Sequence, residues 1–229
     1  MAIEIISSKG LVNKKGIKIL LYGNSGVGKS SQFKYTGKTI LISAESGELV
    51  LNDANNVDVI RVKTLADLKE AYLYVEQNTN KYDTVGIDSL TEVGQMIVAD
   101  LKKDPEFSSM KDGMKLWMKF SEIMLSIAKS FRDLDGINVI ITALSESVKN
   151  GFDELIMPMI PAKKVQAQLP SLYDEVLYLR SSENGDREFV TNPTNDIVAK
   201  DRSGKLEPVE PCTKEQGIKL IYNKILKGE

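Results

Sequence analysis

The eight residues Gly23-Asn24-Ser25-Gly26-Val27-Gly28-Lys29-Ser30 constrain this chain more than any other stretch. They match G-x-x-x-x-G-K-[ST] and lie directly between the strand-like run IKILLY and a helical pattern. Glycines at these spacings let the backbone curl until successive N–H groups face one anion, and a following helix adds the positive end of its dipole. Lys29 is expected to neutralise the β- and γ-phosphates of ATP and Ser30 to ligate Mg²⁺, with Ser31 closing the nucleotide-binding stretch. A glycine-rich turn without a ligand is the bland alternative, and the complete motif in its strand-to-helix setting speaks against it.

The remainder of the chain repeats the same alternation. Apolar runs rich in β-branched residues predict strands at Ile17–Tyr22, Thr39–Ser43, Val57–Val62, Thr84–Asp88, Asn138–Thr142 and Glu175–Leu179. Helical periodicity predicts helices at Lys29–Tyr35, Leu65–Gln77, Ser89–Lys102, Lys115–Leu134 and Thr213–Leu226. This pattern implies an α/β fold, a mainly parallel sheet flanked by helices. The segment 181–211, with Asn184-Gly185 and Ser203-Gly204 as turn signals, reads as a β-rich C-terminal extension before the last helix at 213–226. One domain spanning 1–229 is expected from the length. Lys103–Gly113 and Ser145–Ala162 break the rhythm after sheet elements, where open α/β sheets place their ligands.

Thr84-Val85-Gly86-Ile87-Asp88-Ser89 is a mostly apolar strand ending in an acid. Placed after the phosphate loop, Asp88 is expected to hold the Mg²⁺ shell through water, although many strands end in an aspartate that only caps the next helix. Of the acids after the second strand, Glu45 is best placed by topology to orient or deprotonate an attacking water, with simple loop capping as the alternative. Lys200 and Arg202 stand at i and i+2 after a strand-like segment and so face one side, where both can clamp one anion; a solvated charge run is the other reading. Trp117, Met118, Ile123 and Met124 recur at helical spacing and are expected to pack in the core.

Taken in order, the phosphate loop, Ala44-Glu45, Asp88-Ser89, Tyr173-Asp174-Glu175-Val176 and Ala199-Lys200-Asp201-Arg202-Ser203-Gly204 resemble the compact phage-encoded RecA-like ATPases. These are grouped as AAA-type phage nucleotide-binding proteins and include Sak-type single-strand annealing proteins. The resemblance implies a RecA-like P-loop core, with Glu45 activating water and Asp88 in the Walker B position. It also implies that Lys200 and Arg202 reach a neighbouring subunit's γ-phosphate in a ring or filament. One departure stands out, since RecA carries Asn-Gln after its fourth core strand where this chain has Ala143-Leu144-Ser145-Glu146; Thr142 or Ser145 would then sense the γ-phosphate through a hydroxyl.

In RecA-like proteins two loops line a DNA channel, and the matching segments here carry Lys102, Lys103, Lys111 and Lys115 in the first and Lys149, Asn150, Phe152, Lys163 and Lys164 in or beside the second. Lysines supply phosphate contacts and Phe152 a face for base stacking, while Asp153 and Glu154 blunt the potential and leave ordinary solvated loops as the alternative. With a net charge of −2, any nucleic-acid site must be local. The absence of histidine and the single Cys212 exclude Cys/His zinc sites, imidazole triads and an internal disulfide. No stretch reads as a signal peptide or membrane span, so the expected location is the cytoplasm, that of a bacterial host for a phage protein. The leading expectation is a Mg²⁺-dependent, homo-oligomeric ATPase acting on single-stranded DNA in recombination or replication, with a single-strand-binding protein as a further partner. The alternatives are a nucleotide-gated adaptor or loader for another replication protein and, third, a small-molecule P-loop kinase, whose arginine-rich lid has no counterpart in the sequence.

Overall fold

The computed structural model describes residues 16–108, 113–151 and 153–227. Its strands are β1 (Lys18–Gly23), β2 (Thr39–Ser43), β3 (Val57–Arg61), β4 (Thr84–Asp88), β5 (Asn138–Asn150), β6 (Asp153–Pro158), β7 (Glu175–Ser181), β8 (Arg187–Val190), β9 (Lys200–Asp201) and β10 (Val209–Pro211). They run in the order β10-β8-β7-β1-β5-β4-β2-β3, with β6 beside β5 and β9 beside β7. From β7 to β3 every neighbouring pair is parallel. The β8, β9 and β10 pairings are antiparallel and form the β-rich extension.

The period of two along β1 explains why the sheet needs cover on both faces. Leu20 and Tyr22 pack into one core with the helices Leu65–Glu76, Leu90–Leu101 and Gly113–Arg132, while Ile19 and Leu21 pack into the other with Phe33, Ile218, Ile221 and Ile225. A parallel strand buried on both sides reads as a continuous apolar run, which is how IKILLY reads. Among the described residues, no helix is long and apolar enough to cross a membrane.

Four expectations need correction. The segment after the phosphate loop is a six-residue 3-10 helix, Ser30–Tyr35, too short for a macrodipole of the strength a full α-helix offers. Ser145–Ala162 is largely a hairpin, because β5 continues past the sheet and folds back as β6 with Glu146 opposite Met157 and Lys149 opposite Glu154. The last helix starts at Lys219, since Gly217 at φ +48° closes a turn onto the carbonyl of Thr213. Finally, the Gly113–Arg132 helix buries Leu116, Phe120, Met124, Ala128 and Phe131, so Trp117 and Met118 fall off that stripe and are 43% and 67% exposed.

Candidate functional site

Parallel strands bring their C-terminal ends to one edge, and the loop after β1, the turn after β2 and the end of β4 meet there. The loop turns through Gly26 at φ +75° and Gly28 at φ +103°, left-handed conformations that a side chain would strain. The carbonyl of Gly28 accepts from Ser31 Oγ (2.7 Å) and Gln32 Nε2 (3.1 Å), which ties the loop to the 3-10 turn.

Lys29 lies beneath this loop, 6% exposed, and its Nζ donates to the carbonyls of Gly23 (2.9 Å) and Asn24 (2.8 Å). Burial pushes its pKa below the ordinary lysine value, opposed by the charges of Glu45 and Asp88. It has no ion pair among the described residues. A buried ammonium whose hydrogen bonds go to carbonyls and which has no direct ion pair carries a desolvation cost that a bound anion would offset.

Asp88 is 3% exposed and receives two hydroxyls, Ser30 Oγ on Oδ2 (2.6 Å) and Thr142 Oγ1 on Oδ1 (2.5 Å). The helix that follows is capped by Ser89, whose hydroxyl accepts from the N–H of Glu92, so capping does not account for Asp88. Ser89 also donates to Glu45 Oε1, and the backbone N–H groups of Ala44 (2.7 Å) and Glu45 (3.2 Å) donate to the Asp88 carbonyl. The Asp88–Ser89 peptide is cis. Glu45 is exposed in the turn after β2. Partial desolvation raises its carboxyl above the usual glutamate value, the Ser89 hydrogen bond and Lys29 lower it, and Asp88 and Glu92 raise it. A carboxylate with a raised pKa is the stronger base.

Ser30 Oγ and Asp88 offer hard oxygen donors side by side, which suits Mg²⁺. Among the described residues no group of three His, Cys, Asp or Glu side chains could hold a metal ion by itself. Thr142, named as a γ-phosphate sensor, is engaged with Asp88, whereas Ser145 Oγ reaches the loop itself by donating to Asn24 Oδ1 (2.6 Å). Glu146 is turned away and accepts from Gln166.

The other expected residues do not join this cluster. Lys200 and Arg202 lie at the opposite edge, where Lys200 pairs with Val176 near the start of β7. Lys200 Nζ donates to the Pro170 carbonyl (3.1 Å), and Arg202 Nη1 is 2.7 Å from Asp174 Oδ1. Both also reach the Ser171 carbonyl, so they do share a side. Lys149 is on the exposed hairpin, and Lys111 and Phe152 lie outside the described residues. Lys163 and Lys164 border an open groove of about 630 Å³ with Trp117, Met118 and Pro161. Two residues before Pro161, the Met159 N–H donates to the carbonyl of Leu144, which stands opposite Gly23 of β1, and the Met159 carbonyl accepts from Thr91 Oγ1, so this segment is tied to the phosphate-loop end of the sheet.

A parallel sheet with a buried, unpaired lysine under a left-handed glycine loop, next to a hydroxyl–carboxylate pair, defines a P-loop nucleotide-binding protein. The chain belongs to a family described as an AAA domain, whose profile matches residues 15–203, and such ATPases generally bind ATP with Mg²⁺. No curated protein is similar enough to count as a match.

Proposed function

We propose that the chain is a Mg²⁺-dependent ATPase in which Lys29 and the Gly23–Ser31 amides hold the phosphates, Ser30 and Asp88 hold the ion, and Glu45 aligns and deprotonates water. The observation that carries this reading is the buried Lys29, which has no ion pair among the described residues and whose hydrogen bonds go to the carbonyls of Gly23 and Asn24. When bound, Mg²⁺ neutralises charge building on the β- and γ-oxygens. Thr142 and Ser30 keep Asp88 aimed from both oxygens, and Ser89 keeps Glu45 facing the loop. Glu45→Gln should leave ATP affinity intact while hydrolysis falls by ~10²-fold or more, the size of a lost positioned base. A phosphate-release assay beside calorimetry reads both, and surviving turnover would move the base elsewhere.

The substrate on which the ATPase acts is proposed to be single-stranded DNA, in recombination or replication. Support comes from the groove where Lys163 and Lys164 flank the exposed face of Trp117, a phosphate contact beside a stacking surface. Fluorescence anisotropy should show binding that weakens steeply with salt, and the double change Lys163→Ala, Lys164→Ala should flatten the slope by about 0.7 per lost contact. No binding at low salt with ATP and Mg²⁺ present would remove this reading. Lys200 and Arg202 are proposed to act in trans within a homo-oligomer, because both lie at the edge of the sheet remote from their own loop.

A further inference from the structure

The chain has five arginines, and four of them are ion-paired: Arg61 with Glu48, Arg132 with Asp133, Arg180 with Glu188 and Arg202 with Asp174. The fifth, Arg187, makes no side-chain hydrogen bond or ion pair among the described residues. Its position is nevertheless well defined. The β7–β8 hairpin places it opposite Ser181, at the C-terminal end of β7, and its carbonyl accepts from the Cys212 N–H (2.8 Å) on the other side. From there the side chain reaches the phosphate loop. A Cβ added to Gly28 would lie 2.5 Å from Arg187 Nη1, 2.9 Å from its Cζ and 3.1 Å from Ser31 Oγ. The guanidinium therefore occupies the space that Gly28 leaves open, beside Ser31.

We infer that Arg187 is a second cation of the nucleotide site, supplied by the same chain, that binds the α-phosphate end of the triphosphate. The inference rests on the nucleotide reading given above and adds a residue to it. Ser30 and Asp88 mark the metal side of the loop and Lys29 the β/γ side. Ser30 bonds Asp88 whereas Ser31 bonds the Gly28 carbonyl, beside the guanidinium, so a phosphate chain with its β/γ end at Lys29 and Ser30 would bring its α-phosphate to Arg187. Arginine suits this place because a planar fork with five N–H donors grips two phosphate oxygens at once, and its exposed charge stays solvated until the ligand arrives.

Calorimetry with ATP and with ADP, in Mg²⁺, on wild type, Arg187→Ala and Arg187→Lys tests this. Losing one charge-assisted contact should weaken ATP and ADP equally, by about tenfold, with Arg187→Lys between. Thermal melting of the nucleotide-free variants should match wild type, because the side chain is exposed and unpaired. Unchanged affinities in Arg187→Ala, with wild type binding normally, would overturn this inference and leave the P-loop reading standing. A loss confined to ATP would overturn the α-phosphate assignment, placing the contact at the γ end. Wild type binding neither nucleotide would instead overturn the P-loop reading, and this inference with it.

Discussion

Lys29→Ala should lose ATP affinity by ~10²- to 10³-fold, the scale of breaking a buried charge pair. In the free protein the ammonium is already desolvated, with only the carbonyls of Gly23 and Asn24 as partners and its pKa lowered by burial. Glu45 and Asp88 favour the charge from a distance without pairing with it, and the nucleotide supplies a direct counter-charge, so most of the benefit of Lys29 is expected on binding. The same imbalance fixes the sign of a second readout. Removing a buried cation that lacks an ion pair relieves a cost, so Lys29→Ala without nucleotide should melt no lower than wild type. Calorimetry and thermal melting together separate a lost ligand contact from a damaged fold. Wild-type affinity in the variant would end the P-loop assignment.

Arg202→Ala should bind ATP normally yet turn over poorly, by ~10³-fold, the lower range for an arginine finger. Action within one chain is ruled out by length. β1 has six residues between the edge near Asp174, which accepts from the Lys18 N–H, and the phosphate loop, roughly 17 Å of strand. No arginine side chain spans that and still pairs with Asp174 at 2.7 Å. The informative experiment is mixing. An Arg202→Ala subunit keeps its loop and a Lys29→Ala subunit keeps its finger, so mixed assemblies contain interfaces where both working parts meet. Partial recovery of hydrolysis from two preparations nearly inactive alone supports action in trans. A mixture that exchanges subunits and stays inactive assigns Arg202 to holding Asp174.

Much of the candidate site's framework was legible in the sequence, because the strands and glycine turn that build it are carried by short local signals. Thr39–Ser43 and Thr84–Asp88 are strands with the bounds expected, since unbroken apolar runs rich in Ile and Val next to turn residues have few other ways to bury themselves. Asp88 and Glu45 follow from those strand ends, as β2 and β4 pair in register from Thr39 opposite Thr84 to Ser43 opposite Asp88. The β5–β6 hairpin was not legible. Its polar outer half, Ser145 to Asn150, lacks the alternation that marks a strand, and it pairs only because its own return segment is close.

By itself the sequence determined the α/β class, the phosphate loop and the acids that face it, because glycine conformational freedom, β-branched runs and strand-end acids act over a few residues. Only the tertiary structure decided which side chains, distant in the chain, share a space. It set Thr142 and Ser30 on the two oxygens of Asp88, left Trp117 beside Lys163 in an open groove, and sent Lys200 and Arg202 to the far edge. It also brought Arg187 against Gly28. Each of these depends on strand order and on the direction a side chain takes from a paired strand, and both are settled by packing across the whole sheet and not by neighbours in sequence.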